Sequence, residues 1–286
     1  MDPQVITRAR WIFVIIMLMI SASPSFAQKN NGKAEASIAD ADTLMNHEDY
    51  AGALVIYTKV LEKSKLSSDA DYDVLYKRAY AYYGLGKFEE ALTDINKFIE
   101  KNQMPQGKML RAYINQELGN SGAQLKDLNE FIAADPDNLE LIRWRASVLM
   151  ETERYTEARK DIRKLLMIDR NPDMKGYLGL SYYYEDKPDS ALMVFDEVIA
   201  SNPKHVQSYL YAASLGLEQE AYDLALQYIN KGLAIDPSNH TLMFYKGIAL
   251  VEEEKKDEGC RCLSKAFAAG VDDAGDYLKG YCYGVE

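Results

Sequence analysis

The chain has 286 residues, a formal net charge of −11 and a sequence pI of about 4.9. This acidic balance argues against binding to a nucleic-acid backbone, which depends on clustered Lys and Arg side chains. The length is ample for a large core, and the charge favours basic or neutral partners only weakly.

The N-terminal segment has the layout of a secretory signal peptide. Arg8 and Arg10 form a positive region, an apolar run extends from Trp11 to Ile20, and the small residues Ser25 and Ala27 precede an expected cleavage site. The alternative is an uncleaved membrane anchor, but the apolar run is shorter than the roughly 20 residues that a membrane-spanning helix needs. The cleavage site has no cysteine, which argues against a lipid anchor.

We therefore expect residues 1–27 to be removed and residues 28–33 to form a flexible lead-in. An exported chain of this kind belongs in the periplasm or cell envelope of a Gram-negative bacterium, with secretion as the alternative. No membrane span is expected after cleavage.

A small residue recurs along the chain at intervals of about 34 residues. Each one stands near the start of an apolar helical pattern, and Gln124 takes its place once. A period of this length is typical of a repeated helix-turn-helix unit. The small residues are Ala53, Ala91, Ala158, Ala191, Ala225 and Gly259.

Seven such units are predicted, each with two helices of about 13 and 14 residues joined by a short turn. Breakers such as Gly86 and Gly119 mark the turns within units, and prolines such as Pro136 and Pro203 stop the second helices. The units begin near Ala34, Tyr72, Pro105, Leu139, Pro172, Val206 and His240, so that the array spans residues 34–271.

The fifth unit shows the packing pattern most completely. Gly179 and Tyr182 share one face of its first helix, and Ala191 and Phe195 share one face of its second. This pattern resembles the tetratricopeptide repeat family over residues 34–267. The resemblance implies an all-α superhelix, or solenoid, of helical hairpins that holds other proteins.

Two units depart from the pattern. Asp40 in the first unit takes the apolar place that Leu178 fills in the fifth, and Gln124 in the third takes an alanine place. After Phe267 the repeats end, and an apolar stripe predicts a capping helix over residues 272–286 that covers the open face of the last repeat.

Three cysteines lie in the last unit and the cap. Cys260 and Cys262 are two residues apart on a helix and point about 200° apart, so they should not pair. Because the cap helix should fold back near Gly270, Cys260 and Cys282 are expected to meet in a disulfide. This segment also looks like the C-terminal end of exported bacterial tetratricopeptide proteins, which supports the same pairing. The alternative is that all three are core residues.

Catalytic, metal and cofactor sites are not predicted. The histidines are scattered, and His205 and His240 fall beside inter-repeat turns, where we expect them to be solvated. No glycine-rich phosphate loop or nucleophile elbow is present. No histidine lies near the cysteines to complete a zinc site. We therefore expect a protein that is not an enzyme.

The resemblance implies that the first helices line an inner groove, on a face offset by about one residue from the packing face. Tyrosine suits recognition there because it joins a large apolar area to a hydroxyl. The alternative is that neighbouring repeats bury many of these rings. The predicted groove residues are Tyr76, Tyr80, Tyr83, Met109, Tyr113, Gln116, Arg143, Leu180, Tyr183, Tyr184, Phe244 and Ile248.

The favoured hypothesis is a non-enzymatic scaffold or adaptor of the cell envelope that binds a protein or peptide segment in this groove. Family members that grip a peptide's C-terminal carboxylate use lysines and asparagines, but Arg143 stands nearly alone here, which disfavours a chaperone-tail adaptor. The alternative is a carbohydrate- or cell-wall-binding module, because tyrosine rings also stack on sugars. The oligomeric state does not follow from the sequence.

Overall fold

The computed structural model describes residues 32–64, 66 and 68–283. Within them it contains fifteen α-helices, one short π-helix and no β-strand. The all-α prediction is therefore confirmed. The expected signal peptide and most of the lead-in lie outside the described residues. None of the helices in the described part is long and apolar enough to cross a membrane.

Fourteen of these helices form seven consecutive helix-turn-helix pairs. The first helices are α1 (Gly32–Asn46), α3 (Asp69–Gly84), α5 (Pro105–Glu117), α7 (Leu139–Glu151), α9 (Pro172–Tyr183), α11 (Val206–Glu218) and α13 (His240–Glu252). The second helices are α2 (Tyr50–Ser64), α4 (Phe88–Lys101), α6 (Ser121–Ala134), α8 (Tyr155–Ile168), α10 (Pro188–Ser201), α12 (Tyr222–Ile235) and α14 (Lys256–Ala268). A short α15 (Asp273–Tyr277) and a π-helix (Leu278–Cys282) follow.

The chain divides into two compact units, residues 1–98 and 99–286. In the first unit, Tyr57 of α2 is fully buried and its hydroxyl donates to Asp42 of α1 at 2.6 Å. Lys77 of α3 binds the same carboxylate at 2.6 Å, so Asp42 links three helices. Asp40, which departs from the repeat pattern, is exposed, and its carboxylate therefore avoids a desolvation cost.

The core of the second unit runs between the helices of successive pairs. Its centre in the fifth pair is Phe195 of α10, which is almost completely buried against α9. A Cβ atom at Gly179 would lie 2.4 Å from the Phe195 ring, so only glycine admits this close approach. Gln124 is buried in the alanine place of the third pair, and its side-chain amide donates to Gln116 at 3.3 Å.

Each pair turns from its first helix into its second through the same backbone motif. One residue adopts the left-handed conformation, with φ between 56° and 71°, and the next N–H donates to a carbonyl five residues back at 2.8–3.0 Å. This is the Schellman arrangement, which satisfies carbonyls at a helix end. The left-handed residues are Glu48, Gly86, Gly119, Glu153, Asp186, Glu220 and Glu254.

Three pairs contain a charged contact that the sequence analysis missed. An arginine of the first helix donates two hydrogen bonds, 2.6–2.8 Å long, to an aspartate 16 residues later on the second helix. The aspartate side chains are 8% exposed or less, so breaking such a pair leaves a charge largely without water. The pairs are Arg78–Asp94, Arg111–Asp127 and Arg145–Asp161.

The C-terminal segment packs onto the seventh pair. Ala274 and Leu278 are buried in one cluster with Phe244 and Leu263. The sulfur atoms of the Cys260–Cys282 pair lie at bonding distance, with 5.8 Å between the Cα atoms. Their bonding in the cell stays a prediction, because it depends on an oxidising compartment.

Candidate functional site

The first helices of neighbouring pairs adjoin in the second unit, where α9 contacts α11 and α11 contacts α13. Their side chains therefore share one surface. Four of the twelve predicted groove residues, Leu180, Tyr183, Phe244 and Ile248, are on these helices. The structure separates these residues into three groups: rings that pack within the fold, an aromatic pair with polar neighbours, and a cluster of exposed tyrosines.

The three predicted tyrosines of α3 belong to the first group. Each is only partly exposed and contacts a second aromatic ring of the first unit. Burial raises the pKa of the Tyr76 hydroxyl and, with nearby tyrosines and Glu48, that of Tyr80. These rings therefore contribute to the stability of the first unit. The ring contacts are Tyr76–Phe98 at 5.3 Å, Tyr80–Tyr50 at 6.4 Å and Tyr83–Phe88 at 5.6 Å.

The C-terminal members of the prediction are also packed. Phe244 is only 7% exposed and lies 5.6 Å from the ring of Tyr277 in the C-terminal segment. Leu180 and Ile248 are half-buried against core clusters. Phe244 therefore differs from the expectation, because the C-terminal segment covers it.

The aromatic pair lies between α5 and α7. Tyr113 stacks on Trp144 with 4.6 Å between ring centroids, and the indole N–H donates to Gln116 at 2.8 Å. Arg143 is half-buried and makes no ion pair with the described residues. Met109 is half-buried on the preceding first helix. The result is a flat ring surface with an exposed amide and a guanidinium on the same helices.

The third group is a cluster of five tyrosines, here called the tyrosine patch. Tyr184 is 57% exposed and lies 5.6 Å from Tyr155 and 5.2 Å from Tyr183, measured between ring centroids. Tyr177 is 50% exposed, and Tyr211 is half-buried against Phe195. Burial, and then the nearby Tyr177 and Tyr184, raise the pKa of the Tyr211 hydroxyl, which places these three side chains together. The patch consists of Tyr155, Tyr177, Tyr183, Tyr184 and Tyr211.

Only Tyr183 and Tyr184 of this patch were predicted from the sequence as groove residues. Tyr177 and Tyr211 stand one residue before the apolar places of Leu178 and Ala212 in successive units. Trp144 stands at the same place in the fourth unit. This recurrence of aromatic residues is the signal that could have located the patch.

Carboxylates surround the patch. The hydroxyl of Tyr183 donates to Glu218, and burial together with this bond raises the pKa of Tyr183. Glu185 accepts hydrogen bonds from Lys187 and Arg159, and these bonds lower its pKa to about 2. Glu185 is therefore ionised at every physiological pH.

His205 is not solvated as expected. Its side chain is 12% exposed, and its ring nitrogens lie 2.9 Å from the hydroxyl of Ser208 and 2.8 Å from the carboxylate of Asp173. It therefore connects α11 to the start of α9. Within the described residues, no group of His, Cys, Asp and Glu side chains could hold a metal ion.

Comparison with known proteins identifies the repeats. Profiles described as tetratricopeptide repeat match residues 73–102, 144–172 and 178–240. The chain is a tetratricopeptide-repeat protein. The matches fall on the second, fourth, fifth and sixth helix pairs, which confirms the family resemblance read from the fifth unit.

Curated relatives of this tetratricopeptide-repeat protein are distant. It is 25% identical over 221 residues to the Hsp70-Hsp90 organizing protein of Triticum aestivum, covering 74% of this chain and 35% of that protein. It is 26% identical over 244 residues to the TPR repeat-containing protein MJ1428 of Methanocaldococcus jannaschii, covering 77% and 42%. The chain thus spans between a third and a half of these relatives.

Two solved structures share the fold of this tetratricopeptide-repeat protein. A tetratricopeptide repeat protein from Parabacteroides merdae has a TM-score of 0.54 at 18% identity, covering 87% of this chain and 98% of its own. The C-terminal part of a TPR repeat-containing protein from Cytophaga hutchinsonii has a TM-score of 0.61 at 21% identity, covering 85% and 99%. At these identities the likeness concerns the fold alone.

Proposed function

We propose that this tetratricopeptide-repeat protein is a non-enzymatic scaffold that binds a polypeptide segment on the tyrosine patch. The observation that carries the proposal is the exposure of Tyr184 within an ordered set of ring contacts, with Tyr177 also exposed on α9. Rings held in place by neighbours lose little conformational freedom on binding, and aromatic residues often dominate binding energy. A relative named for organizing Hsp70 and Hsp90 supports a role in holding other proteins.

The scaffold is further proposed to work outside the cytoplasm, in the cell envelope. The charged and apolar pattern of residues 1–27 supports export. The placement of Cys260 beside Cys282 is consistent with an oxidising compartment.

Crosslinking in the native cell, followed by affinity recovery and identification of the attached molecule, tests this proposal. The variant Tyr177→Ala/Tyr184→Ala should recover much less of the partner than the wild type. The matched control is Tyr283→Ala, because Tyr283 is 71% exposed on the C-terminal segment. Equal recovery by wild type and double variant would exclude the patch as the contact.

A second candidate function is glycan binding at the aromatic pair of Tyr113 and Trp144. The stacked rings and the neighbouring Gln116 offer a flat apolar face beside an amide, which suits a sugar ring. Sedimentation with purified cell-wall polysaccharide, lost in Trp144→Ala and kept in Tyr184→Ala, would favour this function over the scaffold.

A further inference from the structure

The charges around the tyrosine patch are predominantly negative. Glu218 is bonded to the patch through Tyr183. Asp173 is 71% exposed, and its carboxylate binds the imidazole of His205 but no lysine or arginine of the described residues. Glu153 is exposed and forms no ion pair within the described part of the chain. Three carboxylates at this surface therefore have no lysine or arginine partner in the part of the chain that the structure describes.

Cations close to the patch are already paired with carboxylates. Arg154, next to Tyr155 in the sequence, binds Glu157 at 2.8 Å. Arg159 is buried and binds Glu185 at 2.6 Å, the backbone carbonyl of Ser181 at 2.9 Å and the hydroxyl of Thr156 at 2.9 Å. Lys187 binds the same Glu185 at 2.8 Å. None of these cations is available to neutralise the three other carboxylates.

The protein contains an internal example of how a cation fits such a surface. The Arg159 guanidinium lies over the ring of Tyr182, 4.6 Å from its centroid, while its nitrogen binds Glu185. One ring and one carboxylate thus hold one guanidinium. At the patch, the rings of Tyr177 and Tyr184 and the carboxylates of Asp173 and Glu218 present the same two groups to solvent.

We infer that the tyrosine patch binds a basic, extended segment of its partner, with an arginine side chain lying on the exposed tyrosine rings and paired to a surrounding carboxylate. The inference rests on the proposed function and adds the chemistry of the partner. Cation–π contact and charge-assisted hydrogen bonding act together in this arrangement. An acidic segment would meet repulsion from the carboxylates, so the surface also discriminates between partners.

Fluorescence anisotropy with three labelled peptides tests the inference on the mature full-length protein. The peptides are repeats of Arg-Gly-Ser, Gln-Gly-Ser and Glu-Gly-Ser of equal length. The arginine peptide should bind about tenfold more tightly than the glutamine peptide, as expected for a few cation–π and ionic contacts, and the glutamate peptide should not bind. The affinity of the arginine peptide should fall as salt is added.

Two variants separate a specific site from general attraction to an acidic protein. Tyr184→Leu keeps the charge and removes the ring, and Glu218→Gln keeps the hydrogen-bonding side chain and removes the charge. Each should weaken binding of the arginine peptide about threefold or more. Asp257→Asn removes an exposed charge from α14 and should leave binding unchanged. Equal weakening by all three variants would overturn the inference.

Different results would contradict the binding site and the chemistry of its partner. If the natural partner is recovered and depends on Tyr184, yet the arginine and glutamate peptides bind equally, the chemistry is wrong and the scaffold stands. If the Tyr177→Ala/Tyr184→Ala variant recovers as much partner as the wild type, the assignment of the scaffold's binding site to this patch is wrong. Circular dichroism of each variant, which should remain strongly helical, shows that the comparison concerns folded protein.

Discussion

At the scale of single residues, the buried arginine–aspartate contacts are alternatives to apolar packing. Arg145 and Asp161 occupy the same places in the fourth pair as Leu178 and Val194 in the fifth. The fold therefore accepts either two complementary charges or two apolar side chains at these places. A single charge there is unfavourable, because water reaches it poorly.

The change Arg145→Leu should destabilise the protein by about 3 kcal/mol, because Asp161 would keep a buried charge without a partner. Adding Asp161→Val, which reproduces the fifth pair, should restore most of the loss. Urea denaturation of both variants measures the free energy of unfolding. A double variant less stable than the single one would show that the charges are not interchangeable with apolar residues.

The pKa of Glu185 predicts a specific acid sensitivity. Its hydrogen bonds to Lys187 and Arg159 lower the pKa to about 2 in the folded protein from an ordinary value of 4.5. The stabilisation is therefore complete above about pH 5 and lost as the pH falls toward 2. Glu185→Gln should be less stable than wild type at pH 7, and this difference should shrink with falling pH.

Urea denaturation between pH 7 and pH 2 measures this difference. Asp257→Asn serves as the control, because Asp257 is exposed and forms no ion pair in the described part of the chain. A constant difference between wild type and Glu185→Gln at all pH values would contradict the assignment.

Single residues also show where sequence reasoning reached its limit. An arginine such as Arg78 on an apolar helix face has no explanation until its partner Asp94 is placed beside it, which requires the packing of two helices. Gln124 was correctly recognised as a departure, but its bond to Gln116 depends on side-chain placement. The exposure of Tyr184 depends on what neighbouring helices leave uncovered.

At the scale of elements, the left-handed turn residues hold backbone strain in five of the seven pairs. Glycine takes this conformation freely, and Gly119 is an example. A Cβ atom added at Gly119 would have no atom of another part of the protein within 4 Å. Glutamate at the same place, as in Glu153, is disfavoured by its Cβ. The turns thus differ in conformational cost while sharing the same hydrogen bonds.

The change Glu153→Gly should stabilise the protein by about 0.5–1 kcal/mol, because it relieves the strained conformation. Conversely, Gly119→Ala should destabilise it by about 1 kcal/mol through strain in the local backbone, because the open turn excludes contact with other parts of the protein. Thermal and urea unfolding measure both. Opposite signs are expected, and equal signs would contradict the explanation.

The C-terminal segment is expected to depend on the Cys260–Cys282 bond. Its closure of a loop with sequence separation 22 should contribute about 3 kcal/mol in the chain-entropy description. Cys260→Ser should therefore lower the stability of oxidised protein and leave that of reduced protein nearly unchanged. Peptide mapping without reduction identifies the bonded pair.

The third cysteine, Cys262, allows a separate labelling measurement on the same segment. Burial raises the pKa of the Cys262 thiol, so it should react slowly with alkylating reagents at neutral pH. Rapid labelling of Cys262 in oxidised protein would show that the segment around α14 opens readily.

At the scale of the whole molecule, the repeat period carried most of the prediction. Spacing alone predicted an all-α chain of helical pairs, because small residues must recur wherever two helices approach closely. No feature of the sequence predicts the boundary between the two compact units, because it falls inside α4, between residues 98 and 99. Covering of Phe244 by the C-terminal segment was likewise decided by tertiary packing.

Export of the whole chain remains a prediction with a direct measurement. Expression in a Gram-negative host should yield periplasmic protein that begins at Gln28, as determined by N-terminal sequencing. Arg8→Glu/Arg10→Glu should retain the precursor in the cytoplasm, because the positive region is lost. A full-length N-terminus in the envelope fraction would instead indicate an anchor.

The predicted bond between Cys260 and Cys282 would also determine how the molecule responds to mechanical tension. In the bonded molecule, a force applied at the C-terminus is transmitted from Cys282 directly to Cys260. The residues between these two cysteines, which are 22 positions apart in the sequence, bear none of that force. Full extension of an oxidised molecule should therefore be shorter than that of a reduced one by about 75 Å, from roughly 3.5 Å per residue. In an oxidised molecule held at its C-terminus, α14 would therefore bear the load while the residues between Cys260 and Cys282 stay unextended.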